Sequence, residues 1–137
     1  MLEAWQVALL EECRVARLAK LSAGGQSHLV PVCYALVGSE VAIPVDEKRK
    51  KPGRLARLRN IDRDARATLL IDRYEDDWTR LAWVRLECEA RVLERGDERP
   101  VALAALRARY PQYGAMALEG LPLILLTVRR VVGWRAR

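Results

Sequence analysis

The chain has 137 residues, 51% apolar and 31% charged, with a formal net charge of +6, and a chain of that size is expected to form a single domain, residues 1–137, with a full hydrophobic core. Cys13, Cys33 and Cys88 lie in apolar stretches without metal-type spacing and His28 is the one histidine, which excludes a His-based metal cage and predicts free structural thiols and no metal. Apolar runs fall short of the roughly 18 residues of a membrane span, and the N-terminus carries acids where a signal peptide carries bases, so the expected location is cytoplasmic and away from membranes.

Residues 2–12, LEAWQVALLEE, put Leu2, Trp5 and Leu9 at helical spacing with acids on the remaining face, which predicts a short amphipathic helix. From Cys13 to Val45, apolar and β-branched runs separated by Gly24-Gly25 and Gly38-Ser39 predict a meander of three strands. Pro31 and Pro44 fall inside the second and third of these. A missing N–H is tolerated at an edge or bulge, so backbone there is expected to face something other than a neighbouring strand.

Residues 46–60 read DEKRKKPGRLARLRN, with seven Lys and Arg against two acids between 46 and 59. Pro52-Gly53 ends the run, and Leu55 and Leu58 anchor a short helix whose neighbouring face carries Arg54 and Arg57. ARATLLID then reads as a strand, and RYEDDWTR as a loop in which Asp76 and Asp77 form a solvated turn. LAWVRLECEARVLE alternates, with Ala82, Val84, Leu86, Cys88, Ala90 and Val92 on one side and Trp83, Arg85, Glu87, Glu89 and Arg91 on the other. DERPVALAALRARY is a helix presenting Leu103, Leu106 and Tyr110 and stopped by Pro111, and LPLILLTVRRVVGW is a last long strand. The order α-β-β-β-α-β-β-α-β with short turns predicts a mainly β fold, an antiparallel barrel or sandwich with small helices. The strands at 81–93 and 121–134 carry more apolar surface than a small lone barrel covers, which predicts a homodimer.

Charge focused at one point before a helix N-terminus suits a compact polyanion such as a phosphorylated ring cofactor. A nucleic-acid-binding barrel is disfavoured, because backbone recognition spreads basic residues along a face and adds exposed aromatics, of which only Trp83 beside Arg85 gives a hint. The chain contains neither a GxGxxG nor a Walker A motif.

ARLAKLSAGGQSHLVPVCYAL, VDEKRKKPGRLARLRNIDRDARATLLIDRYEDDWTRLAWVRLECEARVLE and ALRARYPQY together resemble the flavin and deazaflavin split-barrel superfamily related to pyridoxamine phosphate oxidase, within it the deazaflavin (coenzyme F-420) dependent group, over residues 3–135. The resemblance implies a six-stranded antiparallel Greek-key split β-barrel (the FMN-binding split barrel), a homodimer with two cofactor sites at the interface, and hydride transfer from F-420 to an unsaturated small molecule. It implies that the backbone of Val30, Pro31 and Val32 meets the ring system. Lys48, Lys50, Lys51 and Arg54 would meet the phosphate, with Arg57 behind them, and Trp78 and Trp83 would come over the site from the partner chain or else cap the barrel. Cys88 stands where the resemblance leads one to expect glycine. A proton donor would come from Tyr34, His28 or water. The alternatives are an FMN-binding oxidase or reductase of the same fold and a non-catalytic carrier of the same cofactor or of haem, with His28 as the available axial ligand.

Overall fold

In a computed structural model, which describes residues 1–45 and 56–137, the chain runs α1 (Ala4–Glu12), β1 (Ala16–Leu21), β2 (Ser27–Val32), β3 (Ala35–Val37), β4 (Glu40–Pro44), α2 (Ala56–Arg63), β5 (Arg66–Arg73), β6 (Ala82–Leu93), α3 (Glu98–Arg109) and β7 (Leu123–Arg135). Short 3₁₀ turns occupy Trp78–Arg80 and Pro111–Ala115. The strands form one sheet of order β2-β1-β5-β6-β7-β4-β3, antiparallel at every pairing. The fold is therefore mainly β and split-barrel-like, with seven strands rather than the expected six and four rather than three between residues 13 and 45.

The extra strand arises at Tyr34. The run between the two glycine turns is broken there, because the Tyr34 N–H donates to the Tyr110 hydroxyl at 3.0 Å and the Tyr34 hydroxyl donates to the carbonyls of Leu10 and Cys13 at 2.6 and 2.8 Å. Both glycine turns form as expected, with Gly25 and Gly38 at φ 80° and 61°, a region that L side chains avoid. Pro44 ends β4, so its missing N–H interrupts no ladder.

β2 and β3 lie at opposite edges of the sheet, yet only Cys33 and Tyr34 separate them. Three residue steps span at most about 11 Å, so the sheet must curl until its edges nearly meet. Its inner surface becomes one core cluster, with Leu18, Val41, Ile43, Leu69, Ile71, Val84, Leu86, Ile124 and Leu126 essentially inaccessible.

Two helices close the ends of the curled sheet. At the end where β5 finishes and β6 begins, α1 adds Leu9 and Leu10 to the core, and it approaches Gly133 so closely that a Cβ there would lie 2.8 Å from Gln6 Nε2 and 3.0 Å from the Trp5 ring. At the other end, α2 inserts Leu58 and Ile61. Helix α3 packs outside, where Leu103 and Leu106 meet Ala42 of β4 and Leu123 and Leu125 of β7. The apolar run LILL of β7 is thus covered on both faces within one chain, and it supplies no exposed surface for a partner. The dimer expectation is left with the remainder of that strand, where Val132 is half-buried and Trp134 exposed.

Arg109, at the end of α3, stitches α1 in place. Its guanidinium donates to the carbonyls of Leu10 and Glu11 at 2.9 Å each, to the Cys13 carbonyl and to the Tyr110 hydroxyl at 3.0 Å. These are last-turn carbonyls of α1, which have no partner within their own helix. Arg14 reciprocates by donating to the Arg109 carbonyl at 2.6 Å, and both guanidinium groups lie over the Tyr110 ring, at 5.0 and 5.3 Å. Replacing Arg109 by Met should destabilise the protein by about 2–4 kcal/mol, since several charge-assisted bonds go and the Leu10 and Cys13 carbonyls are left to share the Tyr34 hydroxyl. Urea unfolding measures this, and a loss below about 0.5 kcal/mol would contradict the role given to Arg109.

Candidate functional site

Strand β2 is an edge of the sheet, which explains why Pro31 is tolerated at its centre opposite Arg17. Alternation turns Val30 and Val32 inward onto the core and leaves Pro31 outward and exposed. The strand can therefore offer a flat ligand its backbone edge and the proline ring, while the valines brace it from behind. Lys48, Lys50, Lys51 and Arg54 lie outside the described residues, as does the side chain of Arg57, whose backbone belongs to α2.

Trp83 is the second outward residue of the sheet that sequence reasoning singled out. It lies half-buried on β6, directly between Asp72 of β5 and Trp134 of β7, with the Arg85 guanidinium 5.7 Å from its ring. Trp78 is 68% exposed in the turn that follows β5, its Nε1 3.4 Å from the Tyr74 hydroxyl. That turn is held by Asp77, whose Oδ1 accepts from the Thr79 hydroxyl at 2.6 Å and the Thr79 N–H at 3.1 Å, which holds its carboxyl below the usual range. Asp77 thus has a capping role and does not form an acid/base pair with Asp76.

The register places these aromatics far from α2. The turn after α2 adjoins Glu89 and Ala90, since Arg66 pairs with Glu89 and the Ala90 N–H donates to the Ala65 carbonyl at 2.7 Å. Trp83 and Glu89 are six residues apart on one strand, about 20 Å. Within one chain the aromatic end and the α2 end therefore do not meet.

Between them runs the outer face of β2, β1, β5, β6 and the second half of β7. One cross-strand row reads Pro31, Arg17, Leu70, Arg85, Val132, and the next Leu29, Ala19, Thr68, Glu87, Arg130. Leu29, Leu70 and Trp134 are exposed on it. Its charges alternate in sign, with Arg17 3.9 Å from Asp72 and Glu87 3.6 Å from both Arg85 and Arg130. At the α2 end the face opens into a groove of about 580 Å³ bordered by Lys20, Ser27, Arg66, Thr68, Glu87 and Arg129. Cys88 also borders this groove, buried beside a bulge at Glu87/Cys88. Burial pushes its thiol up to about 12, so it carries little thiolate at neutral pH.

Of the proton donors considered, Tyr34 is removed. The residue is 1% exposed, its hydroxyl lies on two main-chain carbonyls, and burial above all raises its pKa. His28 remains, half-buried on the inward face of β2 and directly opposite Lys20. Among the described residues no group of three or more His, Cys, Asp or Glu side chains could hold a metal, and no helix is long and apolar enough to cross a membrane. Lys20 and Trp134 escaped sequence reasoning, although the alternation of ARLAKL and the position of Trp134 in the last strand carried the signal.

The fold has relatives of known structure. The conserved hypothetical protein Rv2991 of Mycobacterium tuberculosis shares 23% identity, with 100% of this chain and 86% of that one covered at a TM-score of 0.81. An FAD-binding protein from Mesorhizobium loti shares 20% identity over 96% and 94% of the two chains, with a TM-score of 0.69. A heme binding protein from Mycobacterium smegmatis shares 24% identity over 93% of this chain and 53% of its own, at 0.74. No curated protein matches the sequence. The pyridoxamine 5'-phosphate oxidase family does match, over residues 2–135, nearly the whole chain, and the chain belongs to that family.

Proposed function

We propose that the protein is an oxidoreductase that binds the deazaflavin coenzyme F-420 in two sites shared across a homodimer and reduces an unsaturated small molecule. The observation that carries this reading is the separation of the two ends of the outer face. Trp83 lies about 20 Å along β6 from Glu89, beside which α2 ends, and in this reading a second copy brings the aromatics of one protomer to the basic end of the other. The outer face suits that association: it exposes Leu29, Leu70 and Trp134, and its Arg17, Arg85 and Arg130 are largely offset in place by Asp72 and Glu87.

In this arrangement Pro31 and the free edge of β2 orient the ring system. Lys48, Lys50, Lys51 and Arg54 grip the phosphate and acidic tail, Arg57 supports them, and Trp78 and Trp83 of the second copy exclude water. The coenzyme supplies a hydride from a ring carbon to an electron-poor double bond. A proton completes the reduction, and with Tyr34 spent, His28 or a water is its source. FMN would occupy the same site with one phosphate monoester, and the concentration of positive charge favours the longer polyanion of F-420. A haem-carrying role is the competing reading, supported by the heme binding neighbour and by the half-buried His28 as an axial ligand.

Light scattering at micromolar concentration should give twice the chain mass, and a strict monomer would contradict the shared sites. Replacing Lys50 and Lys51 together by Ala should weaken F-420 binding by about 1.5–3 kcal/mol for each charge-assisted hydrogen bond that the change removes. Added salt should weaken binding to the wild type more than to the double variant. Unchanged affinity, or tight binding of random-sequence nucleic acid abolished by the same change, would favour the nucleic-acid reading.

A further inference from the structure

A cleft of about 380 Å³ lies between the end of α1, the start of β3 and the end of α3. Leu10, Ala35, Leu36, Ala105 and Ala108 give it apolar walls, and Glu11, Arg14 and Arg109 are its charged residues. None of them belongs to the coenzyme site proposed above or to the outer face assigned to the dimer. Elsewhere guanidinium groups sit on carboxylates, as Arg73, Arg80, Arg91 and Arg107 do at 2.9, 2.8, 2.6 and 2.7 Å. Among the described residues neither Arg14 nor Arg109 has a carboxylate partner; both donate to main-chain carbonyls, and Arg109 also to the Tyr110 hydroxyl. Such acceptors satisfy N–H groups and cancel no charge.

The two arginines differ in what they have left to give. Arg109 is taken up by four acceptors, whereas Arg14 is exposed and donates through Nη2 alone, to the Arg109 carbonyl at 2.6 Å, with its guanidinium 5.0 Å from the centre of the Tyr110 ring. Arg14 is therefore held in place with donors to spare, and a side chain already ordered loses little further entropy when a ligand binds. The strand beside it adds a main-chain donor. β3 is the last strand of the sheet, and Val37 pairs with Glu40 across a two-residue turn. In such a hairpin the next pair, Leu36 and Val41, turns its N–H and C=O groups away from the partner strand, so those of Leu36 point to the open edge, where no strand takes them up. The charge of the cleft is small. Two guanidinium groups against the one carboxylate of Glu11, two minus one, leave a single positive charge.

We propose that this cleft is a binding site for a small monocarboxylate with an apolar body, its carboxylate held by the Arg14 guanidinium and its hydrocarbon lying against Leu10, Ala105 and Ala108. A planar guanidinium matches the two oxygens of a carboxylate, and the apolar walls have no use for a ligand that is charged throughout. The Glu11 carboxylate selects against a second negative charge, which disfavours dicarboxylates and phosphate dianions. The site stands whether or not the protein binds F-420.

The test is an NMR titration of the amide signals of the full chain with hexanoate, with hexanol and adipate as the uncharged and doubly charged controls. Hexanoate should shift the amides of Ala35, Leu36, Ala105 and Ala108 saturably, hexanol should bind about tenfold more weakly, and adipate more weakly than hexanoate. Arg14→Gln should weaken hexanoate about tenfold and leave hexanol within about twofold, because only the charge-assisted contact is lost. Ala108→Leu, which narrows the cleft and leaves both guanidinium groups in place, should weaken hexanoate and hexanol alike. No saturable shift up to about 10 mM hexanoate, where a ligand of millimolar affinity would be largely bound, would overturn the proposal, as would shifts centred elsewhere on the molecule. Hexanol or adipate binding as tightly as hexanoate would overturn it too, and so would Arg14→Gln weakening hexanoate and hexanol equally or neither. Should Arg14→Gln fail to fold, Ala108→Leu decides, and unchanged hexanoate affinity in that variant would contradict the site.

Discussion

The connection between β2 and β3 is the constraint on which the rest of the molecule depends. Two residues, Cys33 and Tyr34, join the opposite edges of a seven-stranded sheet, and no flat or gently twisted sheet permits that. The curl creates an inside that strands alone can fill and two ends that they cannot, and α1 and α2 close those ends. Tyr34 fixes the joint by satisfying carbonyls of α1 through its hydroxyl and accepting the Tyr110 hydroxyl at its own carbonyl, 2.9 Å away. The strand edge, the helix plug and α3 are thereby tied at one point, with Arg109 and Arg14 stacked around it.

Curling also determines what remains outside. On β4 and the first part of β7 the outer surface is covered by α3, and on β2, β1, β5 and β6 it carries charges among exposed apolar side chains. Individually such exposed ion pairs contribute little to stability. In the dimer reading their value lies in complementarity, which selects the partner and fixes its register more than it adds affinity. The aromatic end and the α2 end occupy opposite limits of this face, which makes the family's cofactor chemistry a property of two chains rather than one in the reading proposed here.

Much of this was legible in the sequence because a strand with one buried face must alternate. β6 did so from Ala82 to Ala90 and was read with its faces correctly assigned. The glycine turns and α3 were equally plain, and the family resemblance, which the match over residues 2–135 bears out, supplied the curled fold that periodicity alone left open between barrel and sandwich. The break at Tyr34 was not legible, because its cause is a hydrogen bond to residue 110, and local pattern carries no trace of a partner so distant. The apolar run of β7 was misread as surplus surface, although a strand apolar on both faces is one buried on both faces. Lys20 was hidden in plain alternation, its charge drawing attention away from its parity. The residues assigned to the phosphate fall outside the described part of the chain, so their role rests on charge and on resemblance.

The measurement that bears most directly on this account is equilibrium titration of the purified protein with oxidised F-420, FMN and haem, each at two salt concentrations. The account predicts saturable binding of F-420, tighter than FMN, at one site per chain and weakened by salt. Haem bound tightly while neither F-420 nor FMN binds would contradict it, leaving the fold intact and its function that of a haem carrier.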